Sequence, residues 1–204
     1  VKKLAVFASG SGSNFEAIVT AIQEGKIRGA EVVQLVCDKP QAHVLTRAER
    51  LGIPVLVLDP KSFPDKAAYE QRIVEKLGEL HVDLIVLAGY MRLVGEVLLT
   101  SYEGKIINLH PSLLPSFPGK AAIAQALDYG VKVTGVTVHF VDAGMDTGPI
   151  IAQRSVPIVQ GDTEQSLAAR IHQEEHSLLV AVVQALVDER VQLHGRMVTV
   201  KEPI

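Results

Sequence analysis

Leu4-Ala5-Val6-Phe7-Ala8-Ser9-Gly10-Ser11-Gly12-Ser13-Asn14 is the stretch that decides the fold. Its first five residues are apolar without alternation, the pattern of a strand buried on both faces, as in a parallel sheet. The glycine-serine turn at 9–14 follows. Phe15, Ile18, Val19 and Ile22 then recur at helical spacing, and Gly25 can end the helix. Strand, glycine turn and helix in that order begin a doubly wound α/β sheet.

The same alternation continues outward. Residues 32–37, 55–58, 84–88 and 106–109 read as further buried strands. Helices are expected at 42–51, at about 66–80 and around 94–101. The connections should be right-handed crossovers in a parallel sheet. After residue 119 the pattern changes. A helix is expected at 121–129, and strands at 133–141, rich in Val, Thr, His and Phe, and at 150–157. Only the 142–148 turn separates these strands, so they should be antiparallel neighbours. The longest helix spans 162–187 and can be capped by Asp162 or Thr163. Residues 191–200, with Gly195 in the middle, read as a small hairpin. Without repeats, low-complexity tracts or linker, residues 1–204 form one domain, with a phosphate-binding half at 1–105 and a catalytic half at 106–204.

Bulk properties exclude several classes. Net charge is −3 with no basic run, which disfavours nucleic acid as the main partner. The chain has one cysteine, Cys37, which leaves no internal disulfide and no cysteine-based zinc site. No apolar run approaches the ~20 residues of a membrane span, and a cytoplasmic location is expected.

The glycine turn suits an anion. Glycines allow close backbone approach, and the free N–H groups and positive end of the following helix favour a phosphate. Gly12, Ser13 and Asn14 are the candidate residues; the alternative is a plain tight turn with Ser13 or Asn14 as helix cap. The dinucleotide fingerprint G-x-G-x-x-G fails because its third position is Phe15, and no Gly-Lys-Ser/Thr completes a Walker motif. Asp38, ending the second strand, is read as a turn residue before Lys39-Pro40.

Asn108 and His110 lie two apart at the exit of the fifth strand, so they project to one face. Asp142 and Asp146 lie in the later turn. If that turn reaches the same end of the sheet, a carboxylate can orient and charge the imidazole, while the Asn108 amide donates to an oxyanion. Such a set suits acyl transfer. With no nucleophile evident, direct attack by a substrate amine fits better than a covalent intermediate. His139 is read as a packed residue or a support behind the site. His172 and His176, at i and i+4, do not follow H-E-x-x-H; they are read as helix-surface polarity, and no metal is expected.

Four segments in order carry a resemblance: 8–14 (Ala-Ser-Gly-Ser-Gly-Ser-Asn), 87–92 (Leu-Ala-Gly-Tyr-Met-Arg), 108–115 (Asn-Leu-His-Pro-Ser-Leu-Leu-Pro) and 135–149, from Gly135-Val-Thr-Val-His-Phe-Val141 to Met145-Asp-Thr-Gly-Pro149. Together they are similar to the folate-dependent glycinamide ribonucleotide (phosphoribosylglycinamide) formyltransferases of purine synthesis. The resemblance implies a three-layer, Rossmann-like, mostly parallel sheet with an antiparallel strand in the C-terminal half. It implies formyl transfer from 10-formyltetrahydrofolate, a co-substrate, to the amine of glycinamide ribonucleotide, by a monomer or homodimer. By matching position, Asn108, His110 and Asp146 look like the catalytic residues. Gly12, Ser13 and Asn14 look like the phosphate site, and Glu175 a ribonucleotide contact. Met91, Arg92, Leu93 and Val94, with Asn108 and Asp142, resemble the folate pocket. Lys66 stands where some members carry an arginine that meets a folate carboxylate, keeping the charge without the bidentate fork. Lys120-Ala121-Ala122-Ile123 lacks the histidines some relatives place in that loop, and Ala143 replaces an acid. A cis peptide at Leu114–Pro115 is also implied. The nearest alternatives are methionyl-tRNA formyltransferase and formyltetrahydrofolate deformylase; further off are a nicotinamide-dependent reductase and a non-catalytic nucleotide-binding protein.

Overall fold

The computed structural model describes all residues from Val1 to Ile204. Seven strands form one sheet in the order β3-β2-β1-β4-β5-β6-β7, and a separate hairpin pairs β8 with β9. The strands are β1 (Lys2–Ala8), β2 (Ala30–Cys37), β3 (Val55–Val57), β4 (Leu84–Leu87), β5 (Ile106–His110), β6 (Val133–Phe140), β7 (Ile150–Pro157), β8 (Val191–His194) and β9 (Met197–Val200). β1 to β5 are mutually parallel. β6 runs against β5 and β7 against β6, so β6 alone is reversed in the main sheet. The helices are α1 (Ser13–Gln23), α2 (Val44–Leu51), α3 (Lys66–Glu79), α4 (Glu96–Ser101), α5 (Ala122–Tyr129) and α6 (Glu164–Val187).

The unbroken apolar run of β1 is explained by its central place. Leu4, Val6 and Ala8 face one core with α1, α2 and α6, whereas Ala5 and Phe7 face a second core with α3 and α4. Two cores, one on each side of the sheet, make the three layers. Phe15 is wholly buried in the first core, which is why the third fingerprint glycine has no place here. β6 alternates poorly because it is covered on both sides: every residue from Thr134 to Phe140 is buried. Thr163 caps α6 in a reciprocal capping box with Ser166. The sheet runs through both halves of the chain, and the Leu114–Pro115 peptide is cis.

The β5–β6 register positions the site. Asn108 lies opposite His139, and His110 opposite Thr137. Ile107, Leu109, Val136 and Val138 belong to the first core. The four polar residues therefore share the other face of the sheet. The loop leaving β5 crosses that face. Thr137 donates its hydroxyl to the Ser112 carbonyl at 2.7 Å and accepts the Leu114 N–H at 3.1 Å. The Gln153 amide donates to the Leu114 carbonyl at 2.9 Å. Gly135 gives this loop room, since a Cβ there would lie 2.6 Å from Leu113 Cδ2 and 2.1 Å from the Arg154 carbonyl oxygen. No helix is long and apolar enough to cross a membrane.

Candidate active site

Asn108, His110 and Asp146 meet at one cavity. The β6–β7 turn reaches the end of β5, leaving Asp146 Oδ2 3.6 Å from His110 Nδ1 and Oδ1 3.9 Å from His139 Nε2. Asp146 has φ 56°, in the left-handed region that Asp enters more readily than most residues. Its Oδ2 accepts the Gly119 N–H at 2.7 Å. Asp142 plays a different part. Its Oδ1 accepts the Gly144 N–H at 3.0 Å and the Thr147 hydroxyl at 2.6 Å, which shapes the turn that presents Asp146.

Hydrogen bonding constrains the two rings. His110 Nε2–H donates to the Phe117 carbonyl at 2.8 Å. A neutral ring with that tautomer would turn a lone pair toward the Asp146 carboxylate; the imidazolium turns an N–H there instead. His139 donates Nδ1–H to the Phe140 carbonyl at 2.7 Å. Burial pushes its pKa down, against the opposing pull of that hydrogen bond and of Asp146. The neutral ring leaves Nε2 as an acceptor, 3.5 Å from Asn108 Nδ2. The arrangement engages one amide hydrogen of Asn108 and leaves the other for the cavity.

This cavity, of about 300 Å³, is bounded by Leu87, Met91 to Val94, Leu109, Val141 and Met145, with Asn108, His110, His139 and Asp146 on one side. Apolar walls with a few convergent polar groups suit a flat heterocycle. Met91, Arg92, Leu93 and Val94 all line it; Lys66 and Asp142 do not. The Lys66 ammonium donates to the Leu93 carbonyl at 2.6 Å from outside the wall. The chain has no cluster of three or more side chains suited to a metal ion.

The glycine turn stands at the N-terminus of α1. Gly12, at φ 81°, occupies the N-cap position and no side chain caps the helix, so neither Ser13 nor Asn14 serves as the cap. Asn14 Oδ1 is buried without a partner. A cavity of about 610 Å³ beside the turn joins Ser13, Glu16 and Arg47 to His176 on α6. Arg50 and Arg47 both bind the Glu16 carboxylate and hold its pKa below the usual range, offsetting a negative charge beside the turn. Glu175 is buried on α6, and its carboxylate pairs with His172.

That pair raises the pKa of His172 above its ordinary 6.5. A group that binds its proton more tightly when folded contributes stability fully below its unfolded pKa and loses it as pH rises through the folded value. His172→Gln should therefore lower Tm by about 1–3 °C at pH 5.5 and leave it unchanged at pH 9, by calorimetry. An equal loss at both pH values would remove the assigned charge interaction.

Sequence reasoning read His139 as a packed residue or a support behind the site without finding its partner Asn108, and it missed Thr137 and Gln153 under the loop and the Phe117 and Gly119 backbone groups bound to His110 and Asp146. Only the shared polar face of β5 and β6 hinted at them.

Known proteins resemble this chain over nearly its whole length. The family model described as formyl transferase matches residues 2–183. The chain belongs to the formyl transferase family. This family member is 56% identical over 186 residues to a phosphoribosylglycinamide formyltransferase of Bacillus subtilis (strain 168), covering 91% of this chain and 95% of that protein. It is 39% identical over 202 residues to the trifunctional purine biosynthetic protein adenosine-3 of Bos taurus, covering 98% of this chain and 20% of that longer protein. The crystal structure of glycinamide ribonucleotide transformylase 1 from Symbiobacterium toebii matches this formyl transferase with a TM-score of 0.96 at 43% identity, over 99% of this chain and 95% of that one. The corresponding structure from Geobacillus kaustophilus has 57% identity and a TM-score of 0.88, over 91% and 98%.

Proposed function

We propose that this chain is a phosphoribosylglycinamide formyltransferase. It moves the formyl group of 10-formyltetrahydrofolate to the primary amine of glycinamide ribonucleotide, a step of purine synthesis that goes with a cytoplasmic location. The observation that carries this reading is the convergence of Asn108, His110 and Asp146 at the mouth of an apolar cavity.

In the mechanism that follows, the ribonucleotide phosphate lies against Gly12, Ser13 and Asn14 at the positive end of α1. A ribose hydroxyl can supply the donor that buried Asn14 Oδ1 lacks, and in this reading Glu175 on α6 receives another. The folate ring enters the cavity walled by Met91 to Val94. The glycyl amine, delivered neutral, attacks the formyl carbon. The new C–N bond forms as the carbonyl electrons move to oxygen. The free amide hydrogen of Asn108 and the His110 imidazolium stabilise that oxyanion. The oxyanion competes with the neutral Phe117 carbonyl for the His110 Nε2 proton and, being charged, is the stronger acceptor. Asp146 holds the imidazolium charge. Collapse of the intermediate breaks the bond from carbon to folate N10. The amine's proton reaches that nitrogen through His110 or a water, and tetrahydrofolate leaves.

The test is acceptor specificity. With 10-formyltetrahydrofolate present, glycinamide ribonucleotide should release tetrahydrofolate stoichiometrically, whereas initiator methionyl-tRNA and water should not. Equal release without an amine would make the chain a deformylase instead.

A further inference from the structure

The carbonyls of the glycine turn are all engaged, and its N–H groups are not. The Val44 N–H, at the start of α2, donates to the Gly10 carbonyl at 3.0 Å. Arg47 Nε, one turn further along α2, donates to the Ser11 carbonyl at 2.8 Å. The Gly12 carbonyl accepts the Glu16 N–H at 2.9 Å, which starts the bonding of α1. The N–H groups of Ser11, Gly12, Ser13 and Asn14, by contrast, donate to no backbone carbonyl.

A planar trans peptide turns the carbonyl of one residue and the N–H of the next in opposite directions. The Gly10 and Ser11 carbonyls both point at α2, so the Ser11 and Gly12 N–H groups point away from it. The first of these two peptides is held by backbone. The second is held by one side chain, that of Arg47.

The charge of Arg47 has a different destination. Its Nη1 donates to the Glu16 carboxylate, which Arg50 binds as well. This pair is only about a quarter exposed on either side. It fixes the plane of the guanidinium and with it the direction of the Nε–H. Arg47 therefore gives its charge to α1 and its Nε–H to the turn.

We infer that Arg47 is a positioning residue for the ribonucleotide: by holding the Ser11 carbonyl toward α2, it aims the Gly12 N–H at the substrate phosphate. The inference rests on the proposed function, which places the phosphate at this turn. Arg47 acts through the 11–12 peptide and does not itself touch the phosphate.

Side-chain length supplies the test. The amide nitrogen of glutamine stands the same number of bonds from Cα as arginine Nε, and so does the terminal methyl of methionine. Arg47→Gln keeps a donor for the Ser11 carbonyl without the charge, whereas Arg47→Met fills the same space with neither. Both variants lose the Glu16 pair, so the comparison between them isolates the donor.

Binding of glycinamide ribonucleotide is measured by titration calorimetry without folate, so that no turnover intervenes, alongside steady-state kinetics and Tm. Arg47→Met should bind the ribonucleotide about 5- to 20-fold more weakly, the scale of one badly aimed charge-assisted hydrogen bond. Its KM for the folate, and its kcat at saturating ribonucleotide, should stay within about twofold, because uniform binding alone is lost. Arg47→Gln should stay within about threefold of the unaltered protein in ribonucleotide affinity, the scale of a surface ion pair. Equal loss in the two variants assigns the effect to charge and overturns the positioning role. Unchanged affinity in Arg47→Met overturns it too, as does a rise in both KM values with a fall in Tm, the mark of general loosening. If the unaltered protein does not turn the ribonucleotide over, the proposed function fails. Inorganic phosphate then serves as the probe of the turn, and a weaker affinity in Arg47→Met than in Arg47→Gln still decides for Arg47, an equal one against it.

Discussion

His110→Ala should lower kcat by about 10²–10⁴-fold with little change in KM for either substrate, the range for loss of a positioned proton carrier. The side chain acts on charge that appears only in the transition state, so its loss falls on the chemical step rather than on ground-state binding. The same substitution leaves the Phe117 carbonyl without its 2.8 Å donor, which could loosen the loop by itself. His110→Gln separates the two effects, because an amide can still donate to that carbonyl but cannot carry a proton. It should lose activity nearly as fully while keeping Tm. Asp146→Asn should lose activity too, since it keeps a side chain of the same shape while removing the charge that supports the imidazolium. A His110→Gln variant with near-normal kcat would remove His110 from the chemistry.

Gly12→Ala should have the second large effect. A Cβ at this position would lie 2.4 Å from Val44 Cγ2 and 2.9 Å from Val44 Cα, with φ at +81°. Overpacking of this kind costs typically ~1–3 kcal/mol, and the left-handed backbone adds ~1–2 kcal/mol. Tm should fall by roughly 5–15 °C. The start of α1 must also move away from α2, so KM for the ribonucleotide should rise by at least about tenfold while KM for the folate changes little. Combining it with Val44→Ala removes the worst contact but neither the backbone clash nor the strain. The double variant should recover part of the Tm and less of the KM. Full recovery of both would mean that the turn's own conformation is unimportant to the substrate.

The parallel strands were legible because strands buried on both faces leave long apolar runs, unbroken at 4–8 in β1 and through β4, and interrupted at 32–37 in β2 only by buried Gln34. The antiparallel β6–β7 pair was legible from the shortness of its turn. His110 and Asn108 were legible as a pair because strand alternation puts them on one face. The company they keep was not. That His139 faces Asn108 follows from the β5–β6 register, which no local pattern states. That Phe117 and Gly119 offer backbone groups to His110 and Asp146 depends on an irregular loop whose course is set by Thr137, Gln153 and Gly135. The resemblance implied folate contacts at Lys66 and Asp142; in the structure the Lys66 ammonium donates to a backbone carbonyl and Asp142 accepts within its own turn.

The site also separates two kinds of histidine by environment. His139 is buried with its Nδ1 proton committed to its own strand, and burial holds it neutral. His110 faces a carboxylate on one side and a carbonyl on the other, both hydrogen-bond acceptors. A neutral ring fixing an amide beside a ring that can hand on a proton is an economical arrangement for stabilising one oxyanion.

Transfer of a formyl group to the amine of the ribonucleotide is tested by the fate of a labelled formyl carbon. Carbon-13 NMR of a reaction containing [13C]formyl-tetrahydrofolate, glycinamide ribonucleotide and the protein should show the label moving to the amide of the ribonucleotide, with no formate signal and no transfer in the His110→Gln variant. Label appearing as free formate would make the chain a deformylase, and transfer that persists without His110 would remove that residue from the chemistry.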